Sequence, residues 1–449
     1  MNAATMSRGR FLKTSTAATA GVAWSALTAR SYGRVKGANE RLNLGLVGCS
    51  ERARGALLPA LFKVEKSMNA ELTAVCDIWS VNLEKGAQLV KDRTGRAPTA
   101  YRHLDEMLRT DLDGVIVATG DPQHAPLLAR VVKAGKDCYC EKPMAINVAM
   151  AREAVQAVRS SRQIVQIGTQ GLSDPKLWGL KKFIAAGTLG KISHVENVQS
   201  YWGPRWRGRD EPRLLQEKDT NWKEWLGGYP PREFDPKLYF EYRIYRDFST
   251  GIAGQWMSHQ VAATALVMGE TFPHSVSADG GNFVWQDGRE TPDVLAAHVV
   301  YPSGWMYTYL CNFGTDYPPH ERYYGINGTI EETKEGYVAS GLGGGGDDTP
   351  QNRDRTKRQR NTAAGFRINP NKLKERIKIP AEGGTPGESV SAHVQNWLEC
   401  MRSRVAPHAD VMTGYYHSVA CIMAHQSAYA GQRLYWDRRR EAITETAPS

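Results

Sequence analysis

Apolar and polar positions change rhythm along the first third of the chain. Leu42–Val47 is a short, almost unbroken apolar run, which reads as a buried β-strand, and Ala53–Val64 then repeats apolar residues at helical spacing. The alternation recurs with strands over 71–76, 114–118 and 137–140 and helices over 80–93, 103–108 and 123–134. Strands alternating with helices fold as βαβ units, which predicts a parallel, doubly wound sheet with right-handed crossovers. In such sheets ligands sit beyond the carboxyl ends of the strands. The residues directly after each apolar run are therefore where chemistry is expected.

Three of those ends carry chemistry. Gly48-Cys-Ser-Glu-Arg-Ala53 fits the G-x-G-x-x-G/A turn with Ser50 and Ala53 at the second and third positions. It follows a strand, opens a helix and is succeeded by an acid, Asp77, at the end of the next strand. That context predicts a dinucleotide whose pyrophosphate rests on the helix N-terminus, near Gly48, Ser50, Glu51 and Arg52. Asp77 is placed to accept hydrogen bonds from ribose hydroxyls. Its charge would repel a 2′-phosphate and Ile78-Trp79 supplies no arginine, so NAD is preferred over NADP. The third end is Asp137-Cys-Tyr-Cys-Glu141-Lys142-Pro143, where proline ends the ladder behind a carboxylate and an ammonium. On its own that sequence could be an exposed ion pair at a strand terminus.

Charge adds little once it is located. The chain has 449 residues and a formal charge of +10, but Arg8, Arg10, Lys13, Arg30, Arg34 and Lys36 contribute six of it with no acid among residues 1–37. The remaining +4 or so, without a basic stripe interleaved by aromatics, gives no footprint for nucleic acid. SRGRFLK (7–13) followed by sixteen uncharged residues resembles a twin-arginine export signal in which Gly9 stands where the second arginine belongs. The expectation is an exported, periplasmic protein, with a cytoplasmic enzyme bearing a residual leader as the alternative. No run is long enough for a membrane span. The seven cysteines lack C-x-x-C spacing and read as buried small hydrophobes rather than disulfides.

Together, LNLGLVGCSERARG (42–55), LTAVCD (72–77), VATGDPQHAPLLARVVKAGKDCYCEKPMA (117–145), AAGTLGKISHV (185–195) and the segment 393–437 resemble the Gfo/Idh/MocA oxidoreductase family. The resemblance implies an α/β protein: a leader (1–37), an NAD-binding Rossmann domain (38–163), and a substrate domain on a large, mostly antiparallel sheet (164–390). C-terminal helices (391–437) would return to the first domain, and a homo-oligomer would form through the open sheet. It also implies that Thr119, Gly120 and His124 flank the nicotinamide, that Lys142 lies beside that ring, and that Glu141 orients it or touches the nicotinamide ribose. A cation partly desolvated there has its pKa pushed toward useful acid–base range. A cis bond before Pro143 is a further expectation.

Residues 201–256 hold 13 aromatics in 56 positions. Aromatic faces suit stacking on a sugar ring, although core packing accounts for most such residues. Tyr201, Trp202, Tyr242 and Tyr245 are the candidates for substrate contact. In Gly251–His259 the family pattern keeps the glycine and the histidine, and Gln255 replaces an acid. Helical histidines are ordinarily core residues, but this register makes His259 a catalytic candidate beside Lys142. Gln255 becomes a substrate contact, and Asp247 a replacement carboxylate unless it merely pairs with Arg243 or Arg246. Histidine spacing predicts no metal site, and the Gly-rich then charged stretch 340–361 reads as a surface insertion. The reading is an NAD-dependent oxidoreductase acting on a hydroxyl of a carbohydrate, glycoside or cyclitol. An NAD-assisted glycoside hydrolase and a non-catalytic dinucleotide sensor are the alternatives.

Overall fold

The computed structural model describes residues 40–207, 214–334, 336–342, 369, 371–383 and 387–448. The leader and most of the 340–361 stretch lie outside the described residues.

Six strands form the first sheet: β1 (Leu42–Val47), β2 (Ala70–Cys76), β3 (Thr99–Tyr101), β4 (Gly114–Val117), β5 (Asp137–Cys140) and β6 (Val165–Ile167). Their order is β3-β2-β1-β4-β5-β6 and every pairing is parallel. β4 and β5 are buried throughout, as a sheet covered on both faces requires. The strand order reverses between β1 and β4, where Val47 pairs with Val117, and that switch opens a crevice at the carboxyl ends. The helix after β1 passes through a π turn, Ala53–Leu57, before Leu58–Val64 becomes regular. Short β3 and β6 were hidden from a periodicity argument by their length. The Lys142–Pro143 bond is cis, as expected.

The second sheet has ten strands: β7 (Ile192–Ser200), β8 (Ser275–Gly281), β9 (Val294–Tyr301), β10 (Trp305–Asn312), β11 (His320–Gly325), β12 (Gly328–Thr333), β13 (Gly336–Ser340), β14 (Ile377–Lys378), β15 (Leu434–Asp437) and β16 (Ala442–Thr444). Only β7 and β10 run parallel; the other pairings are antiparallel. Burial alternates along β9, β10 and β11, so one face is core and the other is open. The core face carries Tyr301, Tyr307, Tyr309 and Tyr323, each essentially inaccessible. No described helix is long and apolar enough to cross a membrane.

Two C-terminal helices join the halves. Ser389–Ser403 buries Trp397 and Met401 against the first sheet and packs on Leu58–Val64. Val411–Ala430 is buried on nearly all sides, as its uniformly apolar sequence demands, between β8, helix Val148–Arg159 and helix Ser258–Met268. Asp410 caps it by accepting the Thr413 amide at 2.8 Å. It also packs on the turn after Lys142: the Ala145 amide donates to Ser418 Oγ at 3.3 Å. All seven cysteines are buried and free.

Candidate active site

A cavity of about 810 Å³ occupies the switch point. One wall is made by the ends of β1, β2, β4 and β5. Gly48, Ser50, Glu51, Arg52, Asp77, Thr119, Gly120, His124, Glu141 and Lys142 all line it. Gly48 has φ +89°, and a Cβ there would lie 2.7 Å from the Ala118 carbonyl, so only glycine turns so tightly against β4. The helix opens at Glu51, directly after this turn, and the Ser50 hydroxyl donates to the Ala118 carbonyl at 3.1 Å, so the helix N-terminus faces the crevice where an anion is favoured.

Asp77 is buried and its two carboxylate oxygens accept the Cys49 amide at 2.7 Å and the Trp79 amide at 2.8 Å. Burial raises its pKa to about 6 against these hydrogen bonds. Each oxygen keeps a lone pair for a ligand hydroxyl. Among the lining groups, Thr119 Oγ1 and Trp79 Nε1 are buried without a hydrogen-bond partner. Unsatisfied buried polar atoms on residues lining a cavity of this size fit a polar ligand. Glycine turn, helix N-terminus, strand-end acid and unsatisfied buried polar atoms together fit a dinucleotide.

Glu141 is buried under Arg52, whose Nε and Nη2 donate at 3.0 and 2.9 Å, and under Gln170 Nε2 at 2.8 Å. Gly168 makes room for it, since a Cβ at that position would stand 2.9 Å from the Glu141 carboxyl carbon. The side chain thus holds Arg52 in place. His124 bridges the Thr119 carbonyl and the Pro143 carbonyl, at 3.2 and 2.8 Å. It ties the loop after β4 to the turn after β5.

Lys142 points into the cavity and its Nζ donates to the Gln255 carbonyl at 2.6 Å. Burial lowers its pKa from 10.5 to about 8, opposed by Glu141 and Asp121 and aided by Arg243. The Gln255 carbonyl belongs to a second π turn, Ala253–Met257, which leads into the helix bearing His259. Such turns break the regular ladder and recur at functional sites. His259 lines the same cavity, with its pKa driven well below 6.5 by burial and then by Lys142.

The carboxylate beside Lys142 is Asp121, which the sequence reading overlooked. It is 2% exposed and accepts from Tyr242 Oη at 3.2 Å, Ser249 Oγ at 2.7 Å and Gln255 Nε2 at 2.5 Å. An acid two residues past Thr119, in the loop after β4, was the available signal. Asp247, expected to supply this carboxylate, is instead exposed and paired with Arg232, outside the cavity. Its position after a 3₁₀ turn and a half-turn of irregular chain directs it to solvent, which no register argument anticipates.

The opposite wall is the excursion between β7 and β8. Tyr242 and Gln255 line the cavity as expected. Tyr201 does not; it stacks behind Trp256, which does, with ring centroids 4.5 Å apart. Trp202 is 64% exposed and lies edge-on to Trp285, and Tyr245 packs against the aromatic cluster of Trp222, Trp225, Tyr242 and Phe248 without itself lining the cavity. Trp206, Trp225, Tyr229, Tyr239 and Phe240 take their place in the wall. Tyr239 and Phe240 pack edge-on to Trp79, at 6.1 and 5.4 Å, and Gln123 Nε2 donates to the Trp225 carbonyl at 2.5 Å. The excursion is thereby fastened across the nucleotide end of the first domain.

Residues 42–169 match the family model GFO_IDH_MocA, described as an oxidoreductase family with an NAD-binding Rossmann fold. Inositol 2-dehydrogenase of Rubrobacter xylanophilus is 31% identical over 158 residues, 35% of this chain and 43% of the relative. The first curated relatives are matched over less than half of their own length. Among solved structures, an oxidoreductase of Thermotoga maritima aligns at TM-score 0.63 and 18% identity, covering 88% of this chain and 98% of the other. An aldose-aldose oxidoreductase of Caulobacter crescentus aligns at TM-score 0.63 and 17% identity, covering 88% and 99%. These structural likenesses establish the shared two-domain fold.

Proposed function

We propose that this chain, which belongs to the Gfo/Idh/MocA oxidoreductase family, catalyses NAD-dependent oxidation of a hydroxyl on a carbohydrate, glycoside or cyclitol. The observation that carries the reading is Lys142: a partly buried amine, with a pKa near 8, lining the same cavity as the glycine turn and Asp77. Gly48, Ser50 and the following helix end would hold the pyrophosphate, and Asp77 a ribose hydroxyl. Bound NAD supplies the hydride-accepting ring.

Lys142, when neutral, accepts the proton of the substrate hydroxyl. A pKa close to the working pH balances a sufficient neutral fraction against adequate basicity. His259, kept neutral by burial, is a second proton acceptor in the same cavity. Asp121 acts through Gln255 and Tyr242, fixing the residue whose carbonyl holds the amine. The aromatic wall offers stacking faces and excludes water. The inositol 2-dehydrogenases matched by sequence favour a polyol or sugar substrate, and nothing in the relatives favours glycoside hydrolysis or a non-catalytic sensor.

The open face of the second sheet, where Val198, Val300, Met306 and Leu310 point outward, would pair with a second copy of the chain. The leader, if functional, would place the enzyme in the periplasm. The test of the central reading is to mix the protein with NAD and a panel of sugars, cyclitols and glycosides. NADH absorbance without aglycone release is expected. Release without net absorbance would replace oxidation by hydrolysis, and neither signal, with NAD bound, would leave a sensor.

A further inference from the structure

We infer that the substrate carries a carboxylate, recognised by Arg243, on the same sugar ring as the hydroxyl that Lys142 deprotonates. The inference rests on the dehydrogenase reading and narrows its substrate class.

Arg243 lines the cavity beside Lys142. Its Nε donates to Gln255 Oε1 at 3.1 Å, and its guanidinium lies over the Tyr242 ring at 4.5 Å. Its own carbonyl is anchored by Thr291 Oγ1 at 3.0 Å. The backbone and the inner nitrogen are thus fixed, while the two terminal nitrogens have no hydrogen-bond or ion-pair partner among the described residues. A guanidinium held at its inner nitrogen and against one ring face, on a residue of the cavity lining, is preorganised for a bidentate acceptor.

The neighbouring charges leave this role to Arg243. Arg52 is committed to Glu141, and Arg54 to the Cys49 carbonyl and Asn82. Asp121 is satisfied by neutral donors from Tyr242, Ser249 and Gln255, so it does not neutralise Arg243 through an ion pair. With Lys142 acting as the base in its neutral form, Arg243 is the unpaired cation beside buried Asp121, which suits a monoanion; a phosphate dianion would then meet Asp121 without a second cation. The spacing fits a single ring. Lys142 Nζ bonds the carbonyl of Gln255 and Arg243 Nε bonds the side-chain oxygen of that same residue. The amine and the guanidinium are bridged by this one residue, a span on the scale of a monosaccharide.

Calorimetric titration of the full, NAD-loaded chain tests this with glucuronate and galacturonate against glucose, galactose and glucose 6-phosphate. At least one acid should bind about tenfold or more tighter than its neutral parent, as a charge-assisted bidentate pair provides. Arg243→Met should erase that margin while neutral-sugar affinity persists, and Arg243→Lys should keep part of it. With turnover measured, Arg243→Met should raise KM for the acid more than it lowers kcat. No preference for the acids, tighter binding of the phosphate, or equal weakening of acids and neutral sugars in Arg243→Met would each overturn the inference. NAD binding, titrated first without sugar, separates the two failures. Its absence defeats the dehydrogenase reading, whereas NAD binding without acid preference defeats only this one.

Discussion

The two walls of the cavity are built on different principles. The first is a row of strand ends, where topology fixes which residue faces the ligand: Gly48 after β1, Asp77 after β2, Thr119 after β4, Lys142 after β5. The second is an irregular excursion whose facing residues are chosen by tertiary packing, such as Tyr239 and Phe240 against Trp79. The lesson is that sheet topology makes a ligand site readable residue by residue, whereas an aromatic excursion announces itself only by composition. If the contrast is real, substitutions on the first wall should remove chemistry, and those on the excursion should divide sharply between contacts and bystanders.

The largest expected effect is that of Lys142→Ala, a loss of about 10²–10⁴-fold in kcat with NAD affinity retained, since general-base catalysis is worth that much. Steady-state kinetics beside NAD titration checks it, and an active variant would move the base elsewhere. Asp121→Asn should come next. Replacing an acceptor-only carboxylate among three donors leaves at least one mispaired, at a cost of about 1–3 kcal/mol in stability. It also removes a charge that raises the Lys142 pKa, so the pH–rate profile should shift to lower pH. A denaturant melt and a pH profile measure the two consequences separately.

Lys142→Met sharpens the comparison by its sign. The amine has a pKa near 8 in the folded chain against 10.5 for the free side chain. The unfolded chain therefore binds more protons between those values, and stability rises with pH across that window. The cost of burying the charge is fully present below about pH 8 and gone above 10.5. Lys142→Met should consequently stabilise the protein at neutral pH by roughly 1–3 kcal/mol while abolishing turnover. A lysine retained for packing alone would lose both. The smallest effect belongs to Asp247→Ala, whose exposed pair with Arg232 contributes about 0–1 kcal/mol. Its turnover should match the parent, and a large loss would return this carboxylate to the mechanism.

Legibility followed the same division. The βαβ rhythm exposed the first sheet, the glycine turn and the Glu141-Lys142 end, because period and punctuation are local properties. Asp121 went unseen although its loop had been singled out, because Asp-Pro there forms a 3₁₀ turn that folds the acid inward toward Tyr242, Ser249 and Gln255. Those partners lie more than 120 positions away. Asp247 misled for the converse reason: it matched an expected register but sits where the chain has already left the cavity. Tyr201, expected to contact substrate, is instead stacked behind Trp256, which lines the cavity in its place. Side-chain direction in irregular chain is set by contacts distant in sequence, which no local pattern encodes.

The account turns on the protonation of one amine, and isotope-edited NMR of the Lys142 ammonium in the NAD-loaded protein reads it directly. A titration midpoint close to 8, matched by a rise in kcat/KM for hydroxyl oxidation over the same interval, is the predicted result. A midpoint near the ordinary 10.5, or a rate profile indifferent to it, would contradict the claim that Lys142 is the buried base of this site.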